Sequence, residues 1–330
     1  MLLETDRSPP PSGFDPAFRA DVLAGLSAAQ KAVPARWLYD RRGSELFEEI
    51  TRLPEYYPTR TETALLEEHA GAVARIAGRG RAVVEFGSGS SAKTPLLLAA
   101  MDPACYVPID ISGEYLLHSA RALASRFPAL PVWPVEADFT RPVALPARIG
   151  EAPRLGFFPG STIGNLSARA AVDLLRTIAA TLGHGALLLI GMDRVKDREE
   201  LLRAYDDAQG VTAAFNLNLL TRINRELGAD IDVAAFRHRV VWNDPEARIE
   251  MHLEARRDMR FTIGGQSFQM QSFAMRTGET IHTENSHKYS ARSARLLLAA
   301  GGWSVLREWT DPAGRFALLL AEARPPVPAP

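Results

Sequence analysis

The sequence predicts a doubly wound α/β fold carrying an inserted α+β unit, and three observations lead there. Between Arg81 and Met192, short apolar or β-rich runs alternate with helical ones, as parallel strands joined by crossover helices do. The first of those runs leads into a glycine-rich turn, VVEFGSGSSAKT (Val83 to Thr94), where such sheets bind their ligands. After Asp193 the alternation stops, and two helical segments precede several strand-like ones. The 330 residues also exceed the size at which a single hydrophobic core stops growing.

Taken in order, residues 1–12 and 324–330 are rich in proline and polar residues and read as loose tails. The next stretch is helical, with periodic segments in DPAFRADVLAGLSA, SELFEEITRL and TRTETALLEEHAGAVARIA. Between the last two, LPEYYPTR holds two prolines, which predicts that Tyr56 and Tyr57 lie in an extended, partly exposed loop. The α/β region then reads RAVVEFG, TPLLLAAM, CYVPID, SGEYLLHSARALASRF, PVWPVEADF, LGFFPGS, SARAAVDLLRTIAATL and GALLLIGMD, strands and helices in turn, the third helix falling between the last two strands.

The inserted unit begins with the helices DREELLRAYDDAQ and TAAFNLNLLTRINREL, followed by strands FRHRVVW, ARIEMHLEA, MRFTI, SFQMQSF and ETIHTEN. NDPE at Asn243 to Glu246 and the pair Gly264–Gly265 mark turns. A helix in KYSARSARLLLAAGG and the runs WSVLREWTD and RFALLLAEA close the chain, the last two as antiparallel strands of the main sheet. The expected division is a second, substrate-binding domain of 13–60 and 197–287, and an α/β domain of 61–196 and 288–323.

Charge and cysteine usage narrow the function. Lys plus Arg number 38 against 39 Asp plus Glu, a net charge of −1, so no basic field draws the chain to nucleic acid or an anionic membrane. A small-molecule partner is the default. Cys105 is the single cysteine, which excludes an intrachain disulfide and a cysteine-rich zinc site. The first residues lack the pattern of a signal peptide, and no apolar run approaches bilayer-spanning length, so a cytoplasmic protein is expected.

Three ligands compete for the glycine-rich turn. A nucleoside triphosphate would match Gly87, Lys93 and Thr94, but Ala92 replaces the second glycine of a P-loop. A dinucleotide would match Gly87, Gly89 and Ala92. S-adenosylmethionine would match an acidic residue two before the first glycine, here Glu85, followed by Gly87 and Gly89. Asp110, ending the next strand, can accept from both ribose hydroxyls, while Asp138 and Phe139 after the third offer a carboxylate for an adenine amine and a ring to stack on the base. Structural alternatives exist for each: a tight turn, a helix cap, a core ring. Three successive strand ends, however, share one crevice.

Four longer strings carry a family resemblance over nearly the whole chain: WLYDRRGSELFEEITRLPEYYPTRTE, VVEFGSGSSAKT, FFPGSTIGN and IHTENSHKYS. They resemble the L-histidine Nα-methyltransferases of ergothioneine biosynthesis. The resemblance implies a monomeric enzyme with a Rossmann-like class I methyltransferase sheet and a discontinuous second domain, converting L-histidine to hercynine by three methyl transfers. It also implies that Gly87, Lys93, Asp110, Asp138 and Phe139 hold S-adenosylmethionine. Tyr56, Asn165 and Tyr205 would hold the substrate carboxylate, Tyr39 would lie by the amino group, Glu284 and Ser286 would read the imidazole, and Met251 would pack beside it.

The chemistry at those positions is consistent. Methyl transfer from a sulfonium needs alignment of nitrogen, methyl and sulfur, and neither a metal nor a covalent nucleophile. Glu284 and Ser286 are two apart, so on an extended strand both face one way, and together they can accept from one imidazole nitrogen and donate to the other. No His-x-x-x-His pair occurs among the seven histidines; His282 and His287 flanking Glu284 fit no common ligand spacing, and no metal is expected.

Overall fold

The computed structural model describes residues 15–89, 91–264 and 269–324. The expected tail 1–12, the tail from 325 onward, Gly265 and the start of the SFQMQSF run lie outside the described residues. Helix α1 (Pro16–Ser27) is capped by Asp15, which accepts from the Ala17 N–H at 2.8 Å, and Pro16 enters the first turn, where its missing donor has no partner to lose. A two-residue strand β1 (Lys31–Ala32) leads to α2 (Arg41–Thr51), which Asp40 caps through the Gly43 N–H.

The next element corrects an expectation. Helix α3 (Tyr57–Ala77) starts at Tyr57, with Tyr56 immediately before it, and both rings are buried at 8% and 3% exposure. The prolines that suggested a loop mark a helix start, because Pro58 lies in the first turn, where proline's fixed φ suits the helix.

The main sheet follows the predicted alternation: β2 (Ala82–Phe86), α4 (Thr94–Met101), β3 (Cys105–Asp110), α5 (Gly113–Arg126), β4 (Val135–Glu136), β5 (Arg154–Phe158), α6 (Ala168–Leu182) and β6 (Leu187–Asp193). The run PVWPVEADF yields only the two residues of β4, since Pro131 and Pro134 cannot donate to a ladder and the strand lies at the sheet edge. The inserted unit contributes α7 (Arg198–Tyr205), α8 (Val211–Leu227), β7 (Phe236–Asn243), β8 (Arg248–Ala255), β9 (Met259–Ile263), β10 (Gln271–Met275) and β11 (Thr280–His287). The chain returns through α9 (Ala291–Ala300) to β12 (Trp303–Thr310) and β13 (Phe316–Ala323).

The seven-stranded sheet has the order β12-β13-β6-β5-β2-β3-β4. Strands β4, β3, β2, β5 and β6 are parallel, and β13 runs antiparallel to both neighbours, as expected of the closing pair. Chain order reverses beside β2, which puts a crevice at the carboxyl ends of β2 and β5. One apolar core lies on each face, one around Phe86, Phe158 and Trp303, the other around Tyr106, Phe157 and Phe316. A second sheet, β1-β11-β8-β7, packs with α1, α2, α7 and α8 around Phe18, Trp37 and Phe215 in a third core.

Candidate active site

Between that third core and the ends of β2, β3 and β5 lies a cavity of about 810 Å³. Its first half is the glycine-rich turn. Gly87 and Gly89 have φ of +71° and +47°, a conformation that side chains with a Cβ seldom adopt. A Cβ on Gly87 would stand 3.4 Å from the Phe139 ring, whereas one on Gly89 would meet nothing within 4 Å, so the turn presents bare backbone to open space. Asp110 braces it, accepting from the Gly89 N–H at 2.9 Å through one oxygen and from the Ser112 N–H at 3.0 Å through the other. Glu85 is buried beneath the turn and accepts from Thr94 at 2.7 Å and Tyr106 at 2.5 Å. Burial pushes its carboxyl up to about 7, against those two hydrogen bonds.

Lys93 forms an ion pair with Glu62, a fully buried carboxylate on α3 that also accepts from the Gly160 N–H at 2.9 and 3.0 Å. Glu62 thereby ties the glycine-rich turn to the turn after β5. Sequence reading missed it, because an acidic residue in an amphipathic helix carries no signal of its own. Asp138 sits beside the cavity, whose lining includes Phe139, Thr140 and Arg36: its Oδ1 accepts from Thr140 and its Oδ2 lies 3.8 Å from Arg36.

The second half gathers residues from both cores. Tyr39, Phe47 and Phe215 pack edge to face or tilted, with centroids 5.4 to 6.1 Å apart, and Tyr56 stacks edge-on to both Phe47 and Tyr205. Glu284, Met251 and Ser286 enter from the second sheet, where Met251 is the cross-strand partner of Glu284. A bulge between His282 and Glu284 resets the register, and Glu284 and Ser286 face the cavity together, as the spacing predicts. Asn165, closing a 3-10 turn after β5, donates to Glu284 at 3.1 Å. Burial pushes Glu284 up to about 7, with Lys288 and the Tyr39 hydroxyl opposing. Burial likewise keeps the Tyr39, Tyr56 and Tyr205 hydroxyls protonated.

A buried polar network underlies this half. Asp193, ending β6, accepts from Tyr57 at 2.7 Å, Lys196 at 2.5 Å and Lys288 at 2.8 Å. Burial alone would raise its carboxyl, but the two lysines outweigh burial and hold it below the usual range. Lys288 also donates to Tyr205 at 2.9 Å and Ser286 at 2.8 Å, and those two hydroxyls are 2.7 Å apart. The sequence offered no sign of this network, whose members come from three separate stretches of the chain, at Tyr57, between Asp193 and Tyr205, and at Ser286 and Lys288.

Among the described residues, one group could gather around a metal ion, Glu250, His252 and His282, and not the His282 and His287 pair weighed from sequence. Glu250 is engaged by Asn243, Arg248 and His252 Nε2, and His282 Nε2 by the Glu284 carbonyl, while His252 Nδ1 is buried without a hydrogen-bond partner. His287 is turned to the Gly164 carbonyl.

The sequence model of the histidine-specific, S-adenosylmethionine-dependent methyltransferases matches residues 18–323. A histidine N-alpha-methyltransferase of Mycolicibacterium smegmatis is 44% identical over 92% of this chain and 94% of its own length. Its counterpart in Mycobacterium tuberculosis is 43% identical over the same shares. Ergothioneine biosynthesis protein 1 of Neurospora crassa is 29% identical over 89% of this chain, which spans 33% of that longer protein. The bare glycine turn, the braced Asp110 and the Phe139 ring are a chemically suitable cradle for S-adenosylmethionine, and the triphosphate and dinucleotide readings of the turn fall away. This chain belongs to the S-adenosylmethionine-dependent, histidine-specific methyltransferase family.

Proposed function

We propose that this protein methylates the α-amino group of L-histidine three times, giving hercynine, N,N,N-trimethyl-L-histidine, for ergothioneine biosynthesis. The observation that carries this reading is convergence: Tyr39, Tyr56, Asn165, Tyr205, Met251, Glu284, Ser286, Gly87, Lys93, Asp110 and Phe139 come from scattered positions to line one cavity. Asp110 is suited to ribose hydroxyls and the Phe139 ring to the adenine face, while Lys93, paired with Glu62, fixes the turn around them. At the other end Glu284 and Ser286 face the imidazole beside Met251, and Tyr56, Tyr205 and the second amide proton of Asn165 face the carboxylate.

S-adenosylmethionine supplies a methyl group on a cationic sulfur, already activated for displacement. The residues of the chain have to align the amine with it and keep water out, work that in general lowers barriers by several kcal/mol. The amine must be neutral to attack, and free α-amino groups lose their proton near pH 7.7–8.0. The buried Tyr39 hydroxyl stays protonated, and its oxygen offers a lone pair that suits an amine N–H. No residue is assigned as a dedicated general base. We also take the enzyme to be monomeric and cytoplasmic; among the described residues no helix is long and apolar enough to cross a membrane.

Mass spectrometry after incubation with S-adenosylmethionine and each common amino acid tests the reading. Three successive methyl gains on histidine alone are expected, and no gain on histidine would overturn it.

A further inference from the structure

The donors and acceptors around Lys288 can be counted completely. Its ammonium has three protons and no lone pair, its side chain is fully buried, and its three contacts are Asp193 Oδ2 at 2.8 Å, Ser286 Oγ at 2.8 Å and Tyr205 Oη at 2.9 Å. Both hydroxyl oxygens therefore accept from Lys288. They also share one hydrogen bond at 2.7 Å, in which either is the donor. The pair owns two protons, one of which lies in that shared bond. The other has no acceptor inside the triangle, and both residues line the cavity.

From this count we infer that Lys288 is a positioning residue: it makes the Tyr205–Ser286 pair a donor of a single proton toward the ligand. It does so because an ammonium cannot accept, so the proton left over from the shared bond can only be donated outward. Glu284, two residues before Ser286 on the same strand face, is an acceptor. With Tyr205 donating in the shared bond, the outward proton is that of Ser286, and the wall offers one donor and one acceptor side by side, the complement of a ring that donates through one nitrogen and accepts through the other. A neutral imidazole in one tautomer matches. An indole, whose ring nitrogen only donates, would leave that proton without a partner. The Asp193 carboxylate anchors the ammonium from the end of β6, so the polarity of the substrate wall is set from the main sheet.

This inference rests on the reading that Glu284 and Ser286 face the imidazole, and the experiment separates the two. If the wild-type enzyme fails to methylate histidine, the proposed function falls, whatever the variants do. Given wild-type activity, Lys288→Met is expected to raise the KM for histidine tenfold or more while the Kd for S-adenosylmethionine stays within twofold. On a Tyr205→Phe, Ser286→Ala background the same change should add less than threefold, because the group Lys288 acts through is gone. Lys288→Gln retains amide donors for Asp193 should the methionine variant fold poorly, and its amide oxygen can capture the outward proton, so the same split is expected. An unchanged histidine KM in a folded variant, a full tenfold effect on the double background, or parallel loss of both ligands would each overturn the inference.

Discussion

Glu284 and Glu85 are both buried carboxylates pushed up to about 7, and they call for opposite treatment. Glu284 faces the cavity and is held by Asn165. Replacing it with alanine should weaken histidine binding at least tenfold and leave S-adenosylmethionine binding within twofold, since the two subsites proposed above lie at different ends of the cavity; calorimetric titration of each ligand checks this. Glu85 instead sits beneath the glycine-rich turn. Its carboxyl rises from an ordinary 4.5 to about 7 on folding, so between those values the folded chain keeps a proton that the unfolded chain releases. Stability therefore falls as pH rises through that window, and the loss is complete above it. Glu85→Gln removes the titration. The difference in unfolding free energy, variant minus wild type, should grow by on the order of 3 kcal/mol from pH 5 to pH 8, as read by denaturant unfolding at each pH.

At the scale of elements, helix α3 stands out because Glu62 reaches from it to two ligand-facing turns. Gly191 on β6 makes room for that carboxylate: a Cβ there would stand 1.9 Å from Glu62 Oε1. Gly191→Ala should displace Glu62, cost about 1–3 kcal/mol of stability, and weaken S-adenosylmethionine binding with it, a pairing that thermal melts and titration would reveal together. The elements legible in the sequence were those with a local period. Helix α4 and strand β3 match their predicted runs residue for residue, because TPLLLAAM and CYVPID are bounded by clear breaks. The start of α3 was missed where a first-turn proline resembles a loop proline, and β4 was overextended where prolines interrupt an edge. In the site, the glycines, Asp110 and Glu284 announced themselves through motif strings. Glu62, Asp193 and Lys288 did not, since their partners are fixed only by tertiary packing.

For the whole molecule, the cavity lies between cores within one chain, and all its lining residues are supplied by that chain. On the monomeric reading proposed above, light scattering is expected to give a mass near 36.1 kDa that does not change on adding either ligand. A ligand-dependent doubling would contradict the monomeric reading.

The short strand β1 pairs in parallel with β11, Lys31 beside Ile281 and Ala32 beside His282. During synthesis the partner emerges only after some 250 further residues, which takes on the order of ten to fifty seconds at ordinary elongation rates. Through that interval the apolar faces of α1 and α2 have no sheet to cover them. The main sheet must also await its last two strands, so both halves of the enzyme mature late, and helices α1 and α2 are where a chaperone would be expected to engage the growing chain.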